Sequence, residues 1–159
     1  MRQFACIAAS ALLAASASAQ TKIYDINLTG LEEVPPNASP ATGTAHIEVN
    51  VATGFVDVTG TFDGLMGSVT GAHLHGLADY GENAGILIGF TTVGGTSGTY
   101  SGSGFLSPTN LQGLLDGLTY VNVHSTVFPG GEIRGQVVPT PASLALLGLG
   151  SLAAARRRR

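Results

Sequence analysis

The sequence predicts an all-β fold, a β-sandwich of about eight strands with one short helix, carried by residues 20–138. Three observations predict it. Apolar and polar residues alternate with a period of two through several short runs, a pattern that only a half-buried strand explains. Of the 23 glycines, all but Gly148 and Gly150 are scattered through this stretch between short runs, as many tight turns require. The apolar fraction, 44%, is that of a folded chain.

The first strand is expected near Lys22–Leu28. Pro35, Pro36 and Pro40 then keep Glu33–Ala41 extended and short of ladder donors, so this segment should cross between sheets or shield an edge. From Gly43 to Val51 the residues Ala45, Ile47, Val49 and Val51 share one face and Thr44, His46, Glu48 and Asn50 the other. After a short connection, Ala52-Thr53-Gly54, the run Phe55–Phe62 sets Val56, Val58, Gly60 and Phe62 against Asp57, Thr59 and Thr61. Further strands are expected near Val69–His75, Gly85–Thr91, Gly98–Leu106, Leu118–His124 and Glu132–Val138. Between Gly98–Leu106 and Leu118–His124, Ser107 suits a helix cap and Pro108 the first helical position. Leu111, Leu114 and Leu115 then fall at i, i+3 and i+4, and Gly117 can end the turn.

Both ends read as address labels. In residues 1–19, Met1 and Arg2 lead into the apolar run Phe4–Leu13 and then Ala17-Ser18-Ala19, the layout of a secretory signal peptide and its cleavage site. In residues 139–159 a Pro-Thr-Pro motif precedes the apolar Ala142–Ala155 and the cluster Arg156–Arg159. As a helix the apolar segment would be about 21 Å long, a marginal span of a hydrocarbon layer of about 30 Å. The arginines would stay cytoplasmic and leave the domain on the far side. Without these ends the body keeps Lys22 and Arg134 against ten acids, a net charge of −8, which excludes the cationic footprint of nucleic-acid binding. The single cysteine, Cys6, lies in the leader, so disulfides, thiol catalysis and zinc-thiolate sites are excluded from the body.

Gly71-Ala72-His73-Leu74-His75-Gly76 is the sharpest local feature, because residues i and i+2 of a strand share a face with Cα atoms about 7 Å apart, close enough for two imidazoles to share one ion. In Tyr120-Val121-Asn122-Val123-His124, Val121 and Val123 suit the core, which turns Tyr120, Asn122 and His124 outward as Leu74 turns His73 and His75 outward. His73, His75 and His124 on one outer, solvent-side face would suit zinc or copper with a coordination position left open. The competing reading is three hydrogen-bonding histidines that fix loops. Ile133 and Val137 inward place Glu132 and Arg134 where they orient the imidazoles or pair with each other. No nucleophile elbow, P-loop or dinucleotide fingerprint is present, and Glu32 and Glu33 are adjacent, so in an extended segment they point apart.

Leu31-Glu32-Glu33-Val34-Pro35-Pro36, Ala72-His73-Leu74-His75-Gly76, Leu114–Gly117, Tyr120-Val121-Asn122-Val123-His124-Ser125 and Pro129-Gly130-Gly131-Glu132-Ile133-Arg134-Gly135-Gln136 together resemble the CHRD (chordin-type) domain, from about Leu28 to Val137. The resemblance implies a Greek-key β-sandwich of immunoglobulin-like or superoxide-dismutase-like type and a part in extracellular interactions. Copper–zinc superoxide dismutases also carry a His-x-His strand, but their two sites need about six histidines and a carboxylate. The body offers His46, His73, His75 and His124, enough for a mononuclear copper site only if His46 also converges. Val138-Pro139-Thr140-Pro141-Ala142-Ser143, the Leu/Gly/Ala run and the arginine cluster resemble the PEP-CTERM sorting tail of Gram-negative bacteria, with Thr140 where that family usually has an acidic residue.

The first expectation is therefore an exported, surface or extracellular-matrix adhesion and interaction module, not an enzyme, with no required cofactor. Its partners would be an exosortase-type processing enzyme and an extracellular polysaccharide or surface protein. It would meet a membrane only through the tail before processing. The alternative is a copper- or zinc-binding protein using His73, His75 and His124, supported by Asn122, Glu132 and Arg134.

Overall fold

Inward-facing aliphatics build the wall. In the computed structural model, which describes residues 20–138, the strands are β1 (Thr21–Thr29), β2 (Thr42–Asn50), β3 (Phe55–Asp63), β4 (Val69–Gly76), β5 (Ile86–Gly94), β6 (Gly98–Phe105), β7 (Thr119–Ser125) and β8 (Ile133–Gln136). Helix α1 (Pro108–Leu115) lies between β6 and β7. The expected alternation decides which way each side chain faces: Ile47, Val49, Val56, Val58, Leu74, Val121, Val123 and Ile133 are fully buried, and each such residue contributes about 1.5–3 kcal/mol relative to exposure. Ser107 caps α1 by accepting a hydrogen bond from the Asn110 N–H at 3.2 Å, Gly117 ends it at φ 85°, and Leu114 enters the core. The leader and sorting tail read from residues 1–19 and 139–159 lie outside the described residues.

The expected Greek-key sandwich is corrected. The strands form one closed antiparallel barrel in the order β1-β2-β3-β6-β5-β4-β7-β8, with β8 returning to β1. Alternation is the same whether a sheet packs on a second sheet or curls onto itself, so it could not separate the two. Closure is accompanied by glycine inside strands, at positions such as Gly60 and Gly135 that the alternation already places within strands and where a side chain has no room. A Cβ on Gly60 of β3 would stand 2.2 Å from Cζ of Tyr100 and 2.3 Å from the Thr44 carbonyl oxygen. With that space free, the buried Tyr100 of β6 crosses β3 and its hydroxyl donates to the Thr44 carbonyl of β2 at 2.8 Å. An eight-stranded barrel is just wide enough for such side chains to fill it.

The seam between β1 and β8 is the thinnest join, with one paired position, Thr29 and Arg134. A Cβ on Gly135 would stand 2.3 Å from the Asn27 carbonyl oxygen, so only glycine lets the two backbones meet there. The proline-rich segment does shield this region. Glu32 accepts from the Gln136 N–H at 3.1 Å, Asn37 donates to the Glu132 carbonyl at 3.0 Å, and Ser39 donates to Oε1 of Glu132 at 2.6 Å.

Candidate metal centre

His73 and His75 leave β4 on the side opposite the buried Leu74, and His124 leaves β7 on the side opposite Val123. In register, His73 lies across from Asn122, His75 from Tyr120, and Gly71 from His124. Gly71 is therefore a position from which a side chain would press on the His73 ring. A Cβ there would stand 3.1 Å from Cε1 and 3.3 Å from Nε2 of His73. Register shifts flank the motif, between Leu74 and His75 against β5 and between Val69 and Gly71 against β7. Such bulges re-aim side chains. Ring centroids lie 4.9 Å apart for His73 and His124, 5.5 Å for His73 and His75, and 5.8 Å for His75 and His124. One ring nitrogen from each lies within 4.8 Å of the other two. Even at that spread, a central point is about 2.8 Å from each nitrogen, so each ring advances about 0.7 Å to reach the 2.0–2.1 Å of a zinc–imidazole bond.

Two of the rings are held in one tautomer. Nδ1 of His75 donates to the Ala84 carbonyl and Nδ1 of His124 to the Pro129 carbonyl, each at 3.0 Å, which leaves each Nε2 as the nitrogen with the free lone pair. His73 Nδ1, His75 Nε2 and His124 Nε2 are buried with no hydrogen-bond partner. Burial lowers the pKa of all three, His73 to about 4, with His124 and His75 lowering His73 further. At neutral pH the cluster is uncharged, the form in which imidazole binds metal.

The face lies on the outer side, as the alternation predicts, but loops cover part of it: His73 and His124 are half-buried. His75 is 8% exposed, Asn122 2% and Arg134 1%. Tyr120 stacks on His75 at 5.0 Å and 6°, and its ring carries the Arg134 guanidinium 3.5 Å from the centroid. Arg134 Nη1 donates to the Glu82 carbonyl at 2.8 Å and Nη2 to Oε1 of Gln136 at 2.9 Å, while the Tyr120 hydroxyl accepts from the Ala84 N–H at 3.0 Å. Arg134 and Tyr120 thus fix the loop whose carbonyl orients His75.

The structure brings His73, His75 and His124 together and places Asn122 beside them. Glu132 neither orients an imidazole nor pairs with Arg134. It is fully buried and accepts from Ser39, the Met66 N–H and Ser125, so it fastens two connections to the wall. His46 does not converge. It stands on β2, bonded to Asp25 at 2.7 Å and Glu48 at 3.3 Å, which removes the four-histidine copper arrangement. The sequence motif includes Gly71 but gives it no role; the structure shows that its missing side chain leaves room beside His73. Sequence reasoning missed the Ala84 and Pro129 carbonyls, for which sequence carries no signal, and the placement of Glu33.

Glu33, 4% exposed, reaches Asn122, whose Nδ2 donates to Oε2 at 3.3 Å. Glu33 Oε1 and Asn122 Oδ1 are both buried and unpartnered, and each lies 2.7 Å from where a Cβ on Gly131 would stand. A protonated Glu33 carboxyl adds an O–H donor to this buried pair. Burial pushes the Glu33 carboxyl from its ordinary 4.5 up to about 7, against the lowering pull of Arg134 and Asn122. Because the folded value is the raised one, the contribution is fully present below pH 4.5 and is lost as pH rises through 7. Glu33→Gln keeps the paired amide geometry without titrating. Its melts should match wild type near pH 4 and exceed it at pH 8 by up to roughly 3 kcal/mol. A difference that stays flat with pH would refute the raised pKa of the Glu33 carboxyl.

Fold and site define a class: a small closed antiparallel β-barrel with a partly roofed three-histidine cluster on the outside of its wall. The CHRD domain family matches residues 24–137, and the chain belongs to that family. No curated protein and no solved structure matches it.

Proposed function

We propose that this CHRD domain binds one zinc or copper ion through His73, His75 and His124 and works as a metal-holding module outside the cytoplasm. The observation that carries the reading is a cluster of three histidines, each with a buried, unpartnered ring nitrogen, whose rings bring one nitrogen apiece within 4.8 Å of one another. A passive interaction role does not account for them, since a buried acceptor left unmade costs about 1–3 kcal/mol. The donors are all imidazole and neutral, which suits zinc and copper above magnesium or calcium. The compartment rests on the leader read from residues 1–19 and the sorting tail read from 139–159, with an exosortase-type enzyme as processing partner.

The rival occupant of the cluster is a water that accepts from His73 and donates to the other two rings. Elemental analysis of the purified full chain separates the two. One equivalent of zinc or copper is expected in the wild type and none in His124→Ala. Wild-type protein that carries no metal, and takes up none on dialysis against either ion, would leave water as the occupant.

A further inference from the structure

The outward residues of β2, β3 and β6 form a second feature, on strands that carry no member of the histidine cluster. Phe105, 73% exposed, packs across the strands on Phe55 with ring centroids 5.1 Å apart and a 60° tilt. From that pair three polar rows run in register across the strands: Glu48, Asp57 and Ser103; His46, Thr59 and Ser101; Thr44, Thr61 and Thr99. The last two rows open into a groove of about 660 Å³, bounded at its edge by Asp25. From Phe55 to Thr61 the strand rises about 20 Å, room for several linked sugar rings.

We propose that this face binds a neutral polysaccharide chain, with Phe105 stacked on a sugar ring and the groove taking the hydroxyls of rings further along. A sugar ring has an apolar C–H face for the aromatic ring and a rim of hydroxyls for carboxylate and hydroxyl partners. Charge decides the class of polymer. Asp25, Glu48, Asp57 and Asp63 point outward here, and the outward positions of β1, β2, β3 and β6 include no lysine or arginine. A polyanion is therefore repelled. A cross-strand aromatic pair also stabilises strand ends by itself, so the variant must be read on binding as well as on melting.

The test is affinity electrophoresis of the full chain in gels containing hydroxyethylcellulose or, separately, alginate. Retardation by the neutral polymer and none by alginate is expected. Phe105→Ala should weaken it about three- to tenfold, the range that loss of one stacking contact allows. Asp57→Asn should weaken it with the melting temperature unchanged, and His73→Ala should leave it unchanged, which keeps this surface separate from the metal reading. No retardation by hydroxyethylcellulose, equal retardation by alginate, or an unchanged Phe105→Ala would each overturn the proposal. So would sedimentation showing that Phe105→Ala only dissolves a self-associated form, because the face would then join copies of the chain.

Discussion

Excess zinc is expected to raise the melting temperature of the wild-type chain by roughly 15 °C, and His73→Ala should remove the whole rise. A ligand at about a thousand times its dissociation constant stabilises the folded state by about 4 kcal/mol, and a domain of this size gains roughly 4 °C per kcal/mol. Depressed imidazole pKa values extend the effect to acid. An ordinary histidine is half protonated near 6.5, but His73 stays neutral down to about 4, and burial lowers His75 and His124 as well. Protons therefore compete with the ion less than usual, and the zinc-induced rise should persist below pH 6. Without metal the same groups act on stability alone. Their folded values are depressed, so their contribution is present above pH 6.5 and is lost as pH falls, for His73 through about 4. Melts with and without zinc across pH 4–8 check both statements. A rise equal in wild type and His73→Ala would place the ion elsewhere.

The second large effect is expected from Arg134→Ala, with a loss of about 3–5 kcal/mol in stability and a metal affinity about tenfold lower or worse. Arg134 is 1% exposed, and its removal leaves a cavity under Tyr120 and takes donors from the Glu82 carbonyl and Gln136. The metal effect is indirect. The loop that Arg134 ties down carries the Ala84 carbonyl that fixes the His75 tautomer. Arg134→Met fills much of the volume without the donors, and so keeps the test readable if the alanine variant does not fold. Zinc titration of Arg134→Met should show the weakened affinity with one equivalent still bound. Wild-type affinity in that variant would show that Arg134 stabilises the wall without positioning the site.

Much of this was legible in the sequence. Leu74, Val121 and Val123 are buried as their alternation requires, which puts His73, His75 and His124 on the same side of the wall. Ser107, Pro108 and Gly117 bound the helix as their chemistry predicts. The partners of Glu132 were not legible, because Ser39 and Met66 lie 93 and 66 residues away, and no local pattern reports contacts at that range. Alternation alone points Glu132 toward the imidazoles, and long-range contacts override it.

The sequence by itself determined which face of each strand its residues take, because the direction of a side chain in a strand follows from backbone geometry over two residues. Only the tertiary structure decided that the sheet closes into a barrel. Closure is accompanied by Gly60 making room for Tyr100 and by Gly135 letting β8 approach β1, which are contacts between distant segments. It also decided that the outward histidines are partly roofed and His46 is left apart, since burial is set by what packs over a face and not by the strand that presents it.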